Sequence, residues 1–105
     1  MKTIEVNGIK YYSKKPKASK SKVHIVVLQR GWAIVGRLER KENECQVYDA
    51  AVIRKWGTTK GLGEIAENGP TTNTVLDKCN GLVEFDYLTV VFTIECNDAK
   101  WEKSL

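Results

Sequence analysis

Runs of β-branched and aliphatic residues, separated by short polar turns, constrain this fold more than any other feature. Residues 23–28 and 32–38 form two such runs around a Gln-Arg-Gly turn, and residues 45–48, 82–87 and 88–96 follow. In the last run Val90, Phe92 and Ile94 alternate with more polar neighbours, which is typical of a strand with one wetter face. The pattern predicts a mainly β, antiparallel domain: a small curled sheet, a barrel or a sandwich.

One short helix interrupts this pattern near residues 62–68. Leu62, Ile65 and Ala66 have the i, i+3, i+4 spacing of a helix face. The following Gly69 and Pro70 favour a left-handed cap and bar continuation. Residues 49–56 are interpreted as an extended segment that returns across the sheet, and residues 71–81 as a polar connection.

The N-terminal part has a different character. Asn7-Gly8 lies between two short β-forming segments and predicts a hairpin within residues 1–12, because both residues tolerate the positive φ of a type I′ turn. Residues 13–22 lack side chains that could form a core, and we expect a mobile basic loop there. With a core at 23–96 and a frayed tail at 97–105, in which Trp101 is a candidate anchor, residues 1–105 form a single domain. The lysines of the basic loop are Lys14, Lys15, Lys17, Lys20 and Lys22.

Size and cysteine content exclude several protein classes. No apolar run approaches the roughly 20 residues that cross a bilayer, and the first residues lack the apolar segment of a signal peptide, so we expect a cytoplasmic protein. Three widely spaced cysteines and one histidine, His24, indicate neither a disulfide framework nor a metal site. No catalytic motif is recognisable. We therefore expect no cofactor, no metal, no catalytic residues and no enzymatic activity.

Positive charge is concentrated at the N-terminal end. Residues 1–31 contain eight Lys or Arg and one Glu, whereas the whole chain has a net charge of only +4. This asymmetry favours polyanions as partners of the basic loop, through a long-range attraction that salt weakens. The same lysines would also serve as a purely solubilising segment.

The segment 54–66 is the most informative for function. It combines cations, hydroxyl groups, an aromatic ring and glycines just before a predicted helix start, where main-chain N–H groups favour phosphate. Trp32 or Trp56 would stack on a base, and Arg30 would clamp a phosphate. The alternative is a tight turn before a capped helix, with solvated cations and core tryptophans. The candidate ligand-binding residues are Arg30, Trp32, Arg54, Lys55, Trp56, Thr58, Thr59, Lys60, Gly61 and Gly63.

Two phosphate-binding motifs are excluded in this segment. Residues 61–66 fit a loose GxGxx(G/A) pattern, but the helix is too short and no parallel βαβ unit surrounds it. Lys60 precedes the second glycine of its loop, whereas a Walker A lysine follows it.

Three stretches, VHIVVLQRGWAIVGRL at 23–38, DAAVIRKWGTTKGLGEIAENGP at 49–70 and LTVVFTIEC at 88–96, resemble a family of short phage and prophage proteins of unknown function. The resemblance covers residues 23–96 and brings no activity or catalytic residues with it. It implies a viral origin and a role in binding host factors or defence signals.

Three functions are compatible with these features. The leading hypothesis is a phage-type anti-defence protein that sequesters an anionic small molecule, such as a nucleotide signal, without altering it. Because such pockets often form between subunits, we expect a homo-oligomer without membrane contact. The alternatives are a nucleic-acid-binding domain that uses the basic loop, and an inhibitor that binds a host protein.

Overall fold

The computed structural model describes residues 3–6, 9–12 and 21–105, with the first two ranges described by their backbone. It is mainly β, with six antiparallel strands in one open sheet and two short helices, which confirms the predicted fold class. The strands are β1 (Thr3–Val6), β2 (Ile9–Tyr12), β3 (Val23–Leu28), β4 (Ala33–Lys41), β5 (Glu44–Lys55), β6 (Val75–Lys78), β7 (Val83–Asp86) and β8 (Val90–Glu95). The helices are α1 (Leu62–Asn68) and α2 (Asp98–Trp101), and 3₁₀ turns cover Gln29–Gly31, Tyr87–Thr89 and Glu102–Ser104.

The predicted N-terminal hairpin is present as a separate two-stranded sheet. Strands β1 and β2 pair antiparallel, from Thr3 opposite Tyr12 to Val6 opposite Ile9. The Asn-Gly turn that joins them, and all the lysines of the basic loop except Lys22, lie outside the described residues.

Strand β5 organises the larger sheet because it has partners along its whole length. The strand order is β6-β5-β4-β3-β8. On the side away from β4, the first part of β5 pairs with β7 and its last part with β6. Residues 45–48 and 49–56, which the sequence separates into a strand and an extended segment, therefore belong to one twelve-residue strand. Strand β6 replaces part of the predicted polar connection.

A bulge in the middle of the β4–β5 ribbon divides the sheet into two halves. The register passes from Val35 opposite Ala51 to Arg37 opposite Tyr48, so Gly36 faces two residues. One of them, Asp49, has a φ of 53°. A Cβ at Gly36 would lie 2.5 Å from Val47 Cγ1 and 2.6 Å from the Tyr48 carbonyl oxygen. Glycine at this position therefore lets the two strands approach at the bulge.

The bulge reverses the alternation of β5 and produces two cores on opposite faces. Before it Val47 faces the same side as Ala50, and after it Ala51 and Ile53 face the other side. One core, formed around Val26, Ile34, Val47 and Ala50, is closed by side chains from β7 and β8. The other is covered by the helices and contains Val23, Ile25, Ala33, Val35, Ala51, Ile53, Leu62, Ile65, Ala66, Cys96 and Trp101.

Helix α1 forms where the sequence predicts it and buries its predicted face. Leu62, Ile65 and Ala66 lie in the helix-side core. Gly69 ends the helix with a φ of 84°, and its N–H donates to the Ile65 carbonyl at 2.8 Å. This is the glycine cap that the sequence indicates.

The prediction of a frayed C-terminal tail is wrong, but its candidate anchor is confirmed. Trp101 is completely buried and belongs to helix α2. The Asn97 N–H donates to the Ala66 carbonyl at 2.8 Å, and the Asp98 carboxylate accepts from the Val23 N–H at 2.9 Å. Tertiary contacts hold this short helix, whose length provides too little periodicity to recognise in sequence. Within the described part of the chain, no helix has the length and apolar character needed to span a membrane.

Candidate functional site

A groove on the sheet surface brings together two of the predicted ligand-binding residues. Its cavity measures about 430 Å³ and lies where β4 begins and β5 ends. We call it the Trp32 groove. Its lining residues are Gly31, Trp32, Ala33, Val52, Ile53, Arg54 and Asp77.

Strand pairing explains why residues distant in sequence meet at this groove. Ile34 of β4 lies opposite Val52 of β5, and Val52 lies opposite Asp77 of β6. The groove therefore runs across three neighbouring strands. Trp32 stands at one end, immediately before β4, and Asp77 at the other.

The main chain of Trp32 is held at a hydrogen-bonded turn, although its side chain is 56% exposed. Its carbonyl accepts a hydrogen bond from the Leu28 N–H at 2.7 Å. Between these residues, Arg30 and Gly31 have φ angles of 70° and 81°, which turn the chain sharply. The exposed ring contradicts the alternative that Trp32 belongs to the core. The completely buried tryptophan is Trp101.

Arg54 is oriented by a carboxylate that the sequence analysis missed. The Nε atom of Arg54 lies 3.0 Å from Oδ2 of Asp77. Both side chains are largely exposed, so this ion pair contributes little to stability, about 0–1 kcal/mol. Its consequence is positional: Asp77 engages one side of the guanidinium. Nothing in the sequence near Asp77 indicates this role, because it depends on the pairing of β6 with β5.

The other predicted site residues follow β5 in a loop bound closely to a second loop. Thr74 Oγ1 donates to the Trp56 carbonyl at 2.6 Å, and Thr71 Oγ1 donates to the Gly57 carbonyl at 2.8 Å. Trp56 is 46% exposed, which contradicts a core position for it as well. Lys55 and Trp56 are not among the residues that line the Trp32 groove.

At the start of α1, a main-chain N–H group already donates a hydrogen bond to a side chain of the same loop. Thr58 Oγ1 accepts the Gly61 N–H at 3.0 Å, and Thr59 Oγ1 donates to the Glu64 carboxylate at 3.3 Å. Glu64 also places negative charge in the first turn of the helix. An amide expected to hold phosphate is thus occupied, and the neighbouring carboxylate would repel an anion. Lys60 is exposed beside this turn, and Gly63 has open space where a Cβ would stand.

A second groove, at the distal end of the β4–β5 ribbon, is lined by acidic residues. It measures about 270 Å³ and includes Glu44, Glu84 and Asp86. The register places Glu44 directly opposite Asp86, so two carboxylates share this end of the sheet. Nearby, burial raises the pKa of the Cys45 thiol. An anionic ligand would avoid this acidic groove and favour the Trp32 groove.

Lys22 is the member of the basic loop that the structure describes. Its Nζ lies 3.6 Å from Oε2 of Glu95, and both side chains are more than half exposed. The positions of Lys14, Lys15, Lys17 and Lys20 fall outside the described residues. The predicted nucleic-acid surface therefore stays a prediction.

Comparisons of this chain with protein-family models, with curated proteins and with solved structures gave no match.

Proposed function

We propose that this domain captures a small anionic ligand with an aromatic ring, of the nucleotide type, in the Trp32 groove and holds it without chemical conversion. One observation carries the proposal: an exposed tryptophan and an oriented arginine line the same groove. The ring would stack on the base, and the guanidinium would bind the phosphate.

Trp32 suits the stacking role because its ring is exposed while its main chain is held at the turn. A main chain that is already ordered loses little conformational entropy when a ligand binds. Stacking of a base on an aromatic side chain contributes about 1–3 kcal/mol. Ala33, Val52 and Ile53 give the groove the apolar component that small-ligand sites require.

Arg54 suits the phosphate role because its ion pair involves Nε. The two terminal amino groups of an arginine form the fork that binds phosphate oxygens bidentately. Asp77 partly offsets the positive charge, but its carboxylate also offers an acceptor for a sugar hydroxyl. Arg30, next to the groove-lining Gly31, adds a second cation near the Trp32 end of the groove.

The volume of the groove is compatible with one small molecule. Its 430 Å³ lies within the range of about 300–1,000 Å³ that is usual for ligand sites. The biological role that we propose with it is sequestration of a nucleotide signal, which agrees with the binding of host factors or defence signals that the resemblance to phage proteins implies. A nucleotide within a DNA or RNA strand would use the same two contacts, so oligonucleotides belong in the test.

Isothermal titration with ATP, GTP, UTP, cyclic AMP, a cyclic dinucleotide and short oligonucleotides tests the proposal. We expect at least one nucleotide to bind, and Trp32→Ala to weaken that binding about 5- to 150-fold, from the stacking contribution of 1–3 kcal/mol. Arg54→Gln should weaken it as well, whereas Asp77→Asn should strengthen it by removing a negative charge.

The matched controls are Lys55→Gln and Trp56→Phe, which change the neighbouring cation and the other exposed tryptophan outside this groove. Both should retain the wild-type Kd. Failure of every compound to bind, or equal losses in the controls and in the groove variants, would refute the proposal. Tighter binding of oligonucleotides than of all free nucleotides would replace the small molecule by a nucleic acid.

A further inference from the structure

The two edges of the large sheet carry different amounts of charge. On one edge, β6 contains Asp77 and Lys78, and β7 contains Glu84 and Asp86. On the other edge, residues 90–94 of β8 carry no charge and no proline. Natural sheets protect their edges with such residues against pairing with another chain. Strand β8 lacks this protection over most of its length.

Strand β8 also exposes apolar side chains and main-chain groups. Val91 and Phe92 are 61% and 46% exposed. On its outer side, no strand pairs with β8 among residues 3–6, 9–12 and 21–105. The Cys96 N–H donates to the Val23 carbonyl, so the antiparallel alternation directs the Thr93 N–H and carbonyl away from β3.

We propose that β8 is the surface through which two copies of this chain associate, by antiparallel pairing about a two-fold axis at Thr93. Thr93 then lies opposite Thr93 of the second copy, and the two residues exchange both main-chain hydrogen bonds. Phe92 lies opposite the second copy's Ile94 on the helix-covered face. The sheet continues through the dimer, and the exposed part of Phe92 becomes buried.

The charges of β8 favour a second copy as the occupant. Glu95, the charged residue of the strand, lies opposite Val91 of the second copy. The two Glu95 side chains are then separated by four residues along the sheet, about 13 Å, which exceeds the Debye length of about 8 Å at physiological salt. Each is also close to Lys22 of its own chain. No like charges face each other in this register.

The bulge in β8 selects this axis over others. The pairing passes from Val27 opposite Phe92 to Leu28 opposite Val90, which leaves Val91 without a partner on β3. An axis at Thr93 keeps the central pairs within the regular residues 92–94. It also creates a Thr–Thr cross-strand pair, which is a favourable combination in antiparallel sheets.

Sedimentation equilibrium over a dilution series tests the association. We expect wild-type protein at twice the chain mass of 11.9 kDa, dissociating on dilution. Thr93→Pro, which removes the outward N–H, and Phe92→Lys should both give the mass of one chain. Proline is tolerated on edge strands when its N–H is not used within the sheet. Thr72→Lys, an equal change of charge in an exposed turn, should leave the dimer intact.

Cross-linking tests the axis and does not depend on the folding of the proline variant. In a Cys79→Ser background, Thr93→Cys should cross-link to a dimer with a short bis-maleimide, whereas Thr72→Cys should not. A wild-type chain that is monomeric throughout the dilution series would overturn the proposal. A dimer that persists in folded Phe92→Lys, or equal cross-linking through residues 72 and 93, would overturn it as well.

Discussion

The indole N–H of Trp101 donates a hydrogen bond to the main-chain carbonyl of Ile65, 3.0 Å away in the buried interior. This bond connects the C-terminal helix to the helix that precedes β6. Both side chains pack against the sheet in the helix-side core. Trp101 is therefore part of the core that also contains Ala33 and Ile53, two of the residues that line the Trp32 groove.

Removing this anchor should strongly destabilise the domain. We expect Trp101→Ala to lower the free energy of unfolding by about 3–5 kcal/mol, because it leaves a large cavity in the core. Urea unfolding followed by circular dichroism measures the change. Trp56→Ala, at a half-exposed tryptophan, should change stability by less than about 0.5 kcal/mol. Equal effects of the two substitutions would contradict the assigned role of Trp101.

Position 36 should not tolerate any side chain larger than that of glycine. Gly36→Ala places a Cβ against Val47 and the Tyr48 carbonyl, and we expect it to cost about 1–3 kcal/mol through overpacking at the bulge. The control is Gly63→Ala, where a Cβ meets nothing within 4 Å. That variant should gain up to about 1 kcal/mol from helix propensity. Thermal unfolding of both variants distinguishes them, and an unaffected Gly36→Ala protein would rule out the close approach.

Arg30→Gly separates backbone strain from ligand binding. Arg30 has a φ of 70°, a conformation that costs a non-glycine residue about 1–2 kcal/mol. Glycine relieves this cost, so stability should be retained or increased, while nucleotide binding should weaken about 2- to 5-fold, as expected for the loss of an exposed charge. Glu42→Gly relieves a similar φ of 55° at the β4–β5 turn. In parallel titrations Glu42→Gly should keep the wild-type Kd; a matching loss there would exclude a specific contribution from Arg30.

The free energy of unfolding should decrease at alkaline pH, because the buried thiol of Cys96 is more stable in its neutral form. Burial raises the pKa of its thiol from the ordinary value of 9.0 to about 12. Because the folded pKa is the higher one, the stabilising contribution is complete below pH 9 and is lost as the pH rises toward 12. The loss amounts to about 1.4 kcal/mol per pH unit in this window.

Urea unfolding of wild type and Cys96→Ala at several pH values isolates this effect, since tyrosines and lysines titrate in both proteins. The stability of wild type relative to Cys96→Ala should stay constant up to pH 9 and fall steadily above it. If wild type and Cys96→Ala differed in stability by the same amount at pH 8 and pH 11, the thiol would have the same pKa in the folded and unfolded protein.

Local patterns in the sequence were sufficient to predict β3, β4, β7, β8, the N-terminal hairpin and helix α1, but not β6, which lies in the predicted polar connection. The continuity of β5 could not be predicted, because it requires Asp49 at positive φ opposite Gly36, a residue thirteen positions earlier. Helix α2 was missed because buried contacts, not periodicity, hold it. For the candidate site, the sequence was sufficient to identify Trp32 as a possible stacking residue and Arg54 as a possible phosphate ligand. Their common groove and the contribution of Asp77 follow from strand register, which a single sequence does not reveal.

The most direct test of the Trp32 groove is a ¹H–¹⁵N correlation spectrum recorded during titration with the nucleotide of lowest Kd, or with ATP if none is preferred. Three indole N–H signals, assigned with Trp→Phe variants, report on Trp32, Trp56 and Trp101 separately. We expect the Trp32 indole and the amides of Gly31 and Arg54 to shift to saturation, with the Trp56 indole unchanged. Shifts confined to Trp56 and the Gly61 amide, or no shifts at all, would contradict binding in this groove.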